Sequence, residues 1–173
     1  MEKAAVAKIL DGGAGLDIRE REALAAHTSF RIGGPARWMA FPKSVDEVRT
    51  LLRLAREADV PVRLLGAGTN VLAPDEGVDA LVICLKDALL GMTLLDGNRM
   101  DVMAGQTLAQ AAVFARRNGL TGLEFAHGIP GTLGGGVFMN AGAFGGCMAD
   151  VTAWSEWYDC ETGETGRFAG DSQ

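Results

Sequence analysis

Gly128-Ile129-Pro130-Gly131-Thr132-Leu133-Gly134-Gly135-Gly136-Val137-Phe138-Met139-Asn140-Ala141-Gly142-Ala143-Phe144-Gly145-Gly146 is too rich in glycine for a helix of any length. Each glycine forced into regular structure costs about 0.5–1 kcal/mol relative to alanine. Three in succession predict a segment that lets something large approach the backbone. Ile129, Leu133, Val137, Phe138 and Met139 make the stretch too apolar for a merely flexible surface loop. Residues 118–166 contain no lysine or arginine. An anion bound here must be held by main-chain N–H groups, hydroxyls and a helix N-terminus.

A shorter tract of the same kind lies upstream, at Leu64-Leu65-Gly66-Ala67-Gly68-Thr69-Asn70, within a cation-free stretch from 64 to 85. It reads as a strand and a tight turn whose successive amides form a nest for an anion. Thr69 and Asn70 add side-chain donors. The third glycine and following helix of the Rossmann fingerprint are missing, as is the Gly-Lys-Ser/Thr of a P-loop. Alone, the tract also fits a plain strand-to-strand turn. The two tracts together predict a neutral cradle for the phosphates of a dinucleotide cofactor, suited to one that is retained through turnover.

Working outward, Ser44-Val45-Asp46-Glu47 is a capping box. It opens a helix with Val48, Leu51, Leu52, Ala55 and Ala58 on one face, closed at Val60-Pro61. Val62–Leu65 and Ala80–Leu85 read as buried strands. Met92–Leu95 and Met100–Ala104 form a hairpin about Asp96-Gly97-Asn98. Thr107–Asn118 is helical, with Leu108, Ala111, Ala112 and Ala115 inward and Gly119 as its stop. Val151–Tyr158 and Thr165–Phe168 read as strands about a turn at Glu161–Glu164. Hairpins among alternating helices and strands favour an α+β arrangement over a doubly wound parallel sheet. A boundary near Gly77–Ala80 divides the chain into a helical leader (1–25), a first lobe (26–79) and a second lobe (80–173). The last strand pair runs into Gly170-Asp171-Ser172-Gln173, so the second lobe is expected to be incomplete and its edges to favour self-association.

The formal charge of −6, with no basic stripe, argues against nucleic acid or an anionic membrane as partner. No apolar run is long enough to span a bilayer, and the N-terminus lacks a signal-peptide pattern. Cys84, Cys147 and Cys160 are odd in number and widely spaced. They fit neither a disulfide framework nor a metal site, and predict reduced thiols in a cytoplasmic protein.

These segments fall in a recognisable order. His27-Thr28-Ser29-Phe30-Arg31-Ile32-Gly33-Gly34-Pro35-Ala36 precedes Leu65–Leu72, Gly122-Leu123-Glu124-Phe125, Gly128–Gly135 and Met139–Gly145. Over roughly residues 27–173 the pattern resembles the UDP-N-acetylenolpyruvoylglucosamine reductase family. His27 stands where that family usually has Asn, Thr69 where Ser is common and Gly136 where Ala is common. The resemblance implies the FAD-binding fold of the vanillyl-alcohol oxidase type, two α+β lobes gripping non-covalent FAD. It places Gly66, Ala67, Gly68, Thr69, Asn70 and Val71 around the pyrophosphate. It places Gly128, Ile129, Pro130, Gly131, Thr132, Gly134, Gly135, Asn140, Ala141, Gly142 and Ala143 along the rest of the cofactor.

The implied reaction uses NADPH to reduce UDP-GlcNAc-enolpyruvate to UDP-N-acetylmuramate, for peptidoglycan synthesis. It needs an enolate-stabilising cation and a proton donor. The family draws these from an Arg in a Tyr-Arg segment, a Ser and a Glu, all expected beyond Gln173 together with the substrate-binding domain. No catalytic or metal-ligating residue is therefore assigned. His127 is expected to be a hydrogen-bonded loop histidine, His27 an anchor of the first lobe, and Glu124 an acceptor for loop amides. Met139 and Phe144 are expected in the core or packed on a ring, and Trp154, Trp157 and Tyr158 partly buried. Two other readings compete: a truncated, non-catalytic FAD-binding module, and a covalent-flavin oxidase linked through His127 or Cys147.

Overall fold

The computed structural model describes residues 15–169. Two compact units divide them between Ala88 and Leu89, with the short turn Cys160–Gly163 belonging to the first.

In the first unit, β1 (Ile18–Ala23) pairs antiparallel with β2 (Pro35–Ala40). β4 (Val78–Cys84) runs parallel to both β2 and β3 (Val62–Leu65), giving the sheet order β1-β2-β4-β3. The unbroken apolar run from Ala80 to Cys84 is buried throughout, as a parallel strand covered on both faces requires. Helix α1 (Val45–Glu57) packs against β4 through Val48, Leu51, Leu52, Leu54 and Ala55. Ser44 Oγ accepts the Glu47 amide, while the Glu47 carboxylate takes the Lys43 amide at 2.9 Å, one residue earlier than a regular capping box. Leu24, Ala36, Met39, Leu65, Ala73, Val82 and Cys84 close the core.

Two expectations fail in this unit. The helical leader over 1–25 is wrong where it can be seen, because Ile18–Ala23 is a strand; the rest of that segment, 1–14, lies outside the described residues. Arg19, Glu20 and Arg21 are exposed, so pairing with β2 and not a buried face dictates the conformation. Charges on such an edge also block pairing with other chains. The boundary between residues 79 and 80 is also wrong, since it would cut through β4, the strand between β2 and β3. Gly77 signals a close approach instead: a Cβ there would lie 2.1 Å from the Pro35 carbonyl oxygen.

In the second unit β5 (Met92–Leu95) and β6 (Arg99–Val102) form the expected hairpin, with Gly97 and Asn98 at φ 72° and 58° in its turn. Helix α2 (Leu108–Arg117) starts at a Thr107/Gln110 capping box, and buries Leu108, Ala111, Ala112 and Ala115. Its C-terminal stop, Gly119, has φ 72°. Helix α3 (Leu133–Phe138) runs through the triple glycine, against the expectation of no helix there. β7 (Gly142–Ala143) and β8 (Gly146–Cys147) make a miniature hairpin. Helix α4 (Met148–Val151) follows, so Val151 is helical and not the first residue of a strand. β9 (Trp154–Tyr158) pairs antiparallel with β10 (Thr165–Ala169). Gly166 sits opposite Trp157, where a Cβ would meet the indole ring at 2.4 Å. Leu108, Phe125, Ala126 and Met148 form this unit's core. Among the described residues no helix is long and apolar enough to cross a membrane.

Candidate functional site

The first tract leaves β3 at Leu65 and turns through Gly66–Asn70. Gly68 is buried at φ 66°, and a Cβ on it would lie 2.0 Å from the His27 carbonyl oxygen. Its own carbonyl accepts the Ser29 amide at 3.0 Å. The absent side chain is thus required first by the segment that follows β1. Thr28 is 6% exposed there, and its hydroxyl donates to the Ile32 carbonyl. The amides of Ala67, Gly68, Asn70 and Val71 donate to no group among the described residues. Gly66, Ala67 and Thr69 are half-buried and Asn70 and Val71 exposed, so the turn offers its donors at a surface.

His27 anchors this lobe as expected. Nε2 lies 2.8 Å from Glu22 Oε1, and the ring tilts onto Phe41 with centroids 5.2 Å apart. The hydrogen bond with His27, reinforced by Arg19, holds the Glu22 carboxyl below its usual range.

The second tract is a more committed structure than its composition suggests. Thr132, 3% exposed, caps α3, its Oγ1 accepting the Gly135 amide. The Leu133 amide donates to the Gln106 carbonyl at 2.7 Å, Gly134 to Ala104 at 2.9 Å and Gly136 to Thr132 at 2.9 Å. The first three N–H groups of α3, at Leu133, Gly134 and Gly135, are therefore consumed inside the unit, and Gly136 begins the regular helical ladder. Two of the three glycines serve the same packing. A Cβ on Gly134 would meet Ala104 Cβ at 2.8 Å, and one on Gly136 would meet Leu108 at 3.0 Å. Gly135 differs: it is exposed, and a Cβ there would meet only Thr132 Oγ1, at 3.2 Å. Gly128 faces open space, with Ile129 half-buried behind it and Pro130 exposed. The amides of Gly131 and Thr132 have no described acceptor, and Gly131 sits at φ 152°. The anion donors of this tract thus narrow to its entry.

Beyond α3, Asn140 takes φ 46° and its Oδ1 accepts the Ala149 amide at 2.8 Å, leaving the Nδ2 donors outward. Ala141 is pinned at both main-chain groups, donating to Gly136 and accepting from Met148. Gly142 and Ala143 form β7. A two-residue turn follows, with Phe144 at φ 53° and Gly145 at φ 86°, the both-positive pattern of a type I′ hairpin.

Several expected side-chain roles change. Phe144 and Met139 are 96% and 55% exposed, so neither is core; short main-chain-driven elements carry them outward. His127 is exposed and makes no hydrogen bond to a described residue; it lines a hollow with Gln110, Phe114 and Arg117. Glu124 accepts the Gly122 amide at 2.8 Å, on its upstream side and away from the glycine tract. Trp154, Trp157 and Tyr158 are half-buried. Cys84, Cys147 and Cys160 form no disulfide with one another, and desolvation pushes the Cys84 thiol up.

Gln106 was not anticipated. It is 8% exposed, its carbonyl anchors Leu133, and its side chain ties Gly91 to Gln110. The Thr107-x-x-Gln110 capping spacing beside it was the available signal.

A parallel-strand lobe with an undedicated amide nest, and a second lobe of hairpins around a glycine helix, define an α+β FAD-binding fold of the vanillyl-alcohol oxidase type. Residues 36–168 match the family model described as FAD binding domain, and the chain belongs to that family. It is 43% identical over 137 residues to the UDP-N-acetylenolpyruvoylglucosamine reductase of Lactobacillus acidophilus, covering 79% of this chain and 45% of that protein. The crystal structure of the reductase of that name from Thermus caldophilus superposes with a TM-score of 0.65 at 31% identity, over 90% of this chain and 53% of that one. A solvent-stable cholesterol oxidase shares the fold alone, with a TM-score of 0.68 at 20% identity over 91% of this chain and 34% of that one. The chain spans about half the length of the curated relatives it matches.

Proposed function

We propose that this chain is the FAD-binding part of a UDP-N-acetylenolpyruvoylglucosamine reductase, which uses NADPH to convert UDP-GlcNAc-enolpyruvate to UDP-N-acetylmuramate in the cytoplasm. One observation carries the reading: the run of undedicated amides at Ala67, Gly68, Asn70 and Val71, in a stretch without cations. Such a run suits a pyrophosphate held by main-chain donors alone.

FAD, when bound, supplies hydride transfer. The residues present fit it. Ala67, Gly68, Asn70 and Val71 would donate to its phosphate oxygens, with Gly66 and Thr69 shaping the turn. Gly131 and Thr132 offer two further amides and Asn140 its Nδ2 group. Gly128 leaves open the space that a side chain would fill, and at Gly135 only Thr132 Oγ1 borders that space. Ile129, Pro130, Gly134, Ala141, Gly142 and Ala143 hold those groups in place. Gly66–Val71, Gly128–Gly136 and Asn140–Ala143 contain no acid or base, so the tracts bind and orient but do not move a proton.

The test is titration of the purified chain with FAD, followed by acid precipitation. Saturable binding, with all flavin released into the supernatant, is expected. Absence of binding removes the reading; flavin retained in the pellet replaces it with the covalent oxidase.

A further inference from the structure

The second unit holds a hollow of about 410 Å³ whose lining residues belong to neither glycine tract. Two stripes of α2 share the same helical spacing. Leu108, Ala111, Ala112 and Ala115 enter the core, while Gln110, Val113, Phe114 and Arg117 line the hollow. Met92 of β5 and His127 complete it. Met92, Val113 and Phe114 are half-buried and make an apolar floor; Gln110, Arg117 and His127 are exposed around it.

The polar groups of this rim are all able to donate. Gln110 is oriented by the capping box, its Oε1 accepting Gln106 Nε2 at 2.9 Å, the Thr107 amide at 3.2 Å and the Thr107 hydroxyl at 2.7 Å. With the oxygen consumed, the carboxamide has only its Nε2 hydrogens left to offer. The carbonyls that end α2 are taken by the amides of Asn118, Gly119 and Leu120, so the Arg117 side chain caps nothing. Arg117 and His127 pair with no described residue, and no carboxylate lines the hollow among the described residues. In a chain of net charge −6, that is a local reversal of sign.

We propose that this hollow binds a small ligand with a flat aromatic body and one carboxylate or phosphate group. The proposal is independent of the FAD reading. The ring lies on Phe114 and against the Met92 thioether, contacts that aromatic groups favour. The anion takes the Arg117 guanidinium in a charge-assisted, bidentate pair. Gln110 and His127 donate to its remaining lone pairs, and a neutral imidazole suffices because it keeps one N–H. The volume falls within the range of about 300–1,000 Å³ typical of small-molecule sites.

NMR titration of the full chain tests this, read at the Met92 methyl group and the His127 ring. The probes are naphthoate, naphthyl phosphate and the neutral naphthylmethanol. One saturable site is expected for an anion, with the alcohol at least about tenfold weaker. Whichever anion binds tighter supports the site and names its head group. Arg117→Gln should bring the anion down to the affinity of the alcohol. Arg116→Gln, next in sequence but outside the hollow, should leave it unchanged. Saturating FAD should not displace the probe; displacement would assign the hollow to the cofactor and overturn the proposal. No saturable anion binding, equal binding of the alcohol, or full affinity in Arg117→Gln also overturns it. Should FAD not bind, the FAD reading falls and the three probes alone decide. Should Arg117→Gln not fold, His127→Leu decides, with anion affinity expected to fall severalfold and an unchanged value overturning the site.

Discussion

Gly68 and Ser29 are joined by a main-chain hydrogen bond of 3.0 Å that clamps the turn after β3 to the segment after β1. The clamp exists only because position 68 lacks a Cβ, which would lie 2.0 Å from the neighbouring His27 carbonyl oxygen. A backbone requirement of the fold and the presentation of the anion nest therefore meet in one residue.

Gly68→Ala is expected to be severely destabilising. The new methyl group meets main chain that cannot rotate away, and φ 66° strains any L side chain. A loss of about 1–3 kcal/mol is expected from the strain alone. Thermal unfolding checks this, and an unchanged melting temperature would show that the clamp is not tight.

Gly134→Ala and Gly135→Ala, adjacent in sequence, should part ways. At 134 the methyl group drives into Ala104 Cβ at 2.8 Å, so stability falls. At 135 it meets only the Thr132 hydroxyl, at 3.2 Å, and the better helix propensity of alanine, worth about 1 kcal/mol, offsets that contact, so stability should hold. FAD affinity should drop at least severalfold for Gly135→Ala, since the methyl group occupies the space proposed for the cofactor. Melting and flavin titration of the two variants separate packing from binding.

Most of this architecture can be read from the chain, and its failures share a cause. Ser44, Thr107 and Gly119 announce their helix ends through local chemistry, and the 92–102 hairpin through its Asp-Gly turn. β1 is different. Arg19-Glu20-Arg21-Glu22 shows no alternation to read, because the strand is imposed by pairing with β2, whose Trp38-Met39-Ala40 run is buried. In the second tract, position was legible but use was not. Glycine composition shows that something approaches the backbone, yet not that Ala104 and Leu108 take two of the three places. Nor does it show that Gln106 and Ala104 accept the first amides of α3.

Thr132→Ala removes the Oγ1 acceptor from a residue 3% exposed and leaves the Gly135 amide without its cap. Loss of an N-cap hydroxyl costs about 1 kcal/mol. Thr132→Ser should recover most of it. Chemical denaturation of the three proteins checks the order.

Acid should loosen the protein through three depressed carboxyls. Asp17 is held down by Arg19, Glu22 chiefly by His27, and Asp150 by the Cys147 amide. A carboxyl lowered in the folded state stabilises above its unfolded pKa and loses that contribution as pH falls through the folded one. Stability should therefore decline below the ordinary carboxylate values, 3.8 for Asp and 4.5 for Glu. Urea unfolding against pH reads this, and Asp150→Asn should flatten the acid limb by lowering the neutral plateau towards the acid level.

Phe144 is the residue whose replacement should improve the fold. Its ring is 96% exposed and contributes almost no burial, yet its main chain sits at φ 53° in the β7–β8 turn. A type I′ turn favours asparagine or glycine at that place, because an L side chain crowds the left-handed conformation. Phe144→Asn should therefore gain about 0.5–1 kcal/mol and raise the melting temperature by a few degrees. Phe144→Val, β-branched and still apolar, should lower it. If both variants melt as the unsubstituted protein does, the turn is not under conformational strain and the positive φ costs this chain nothing.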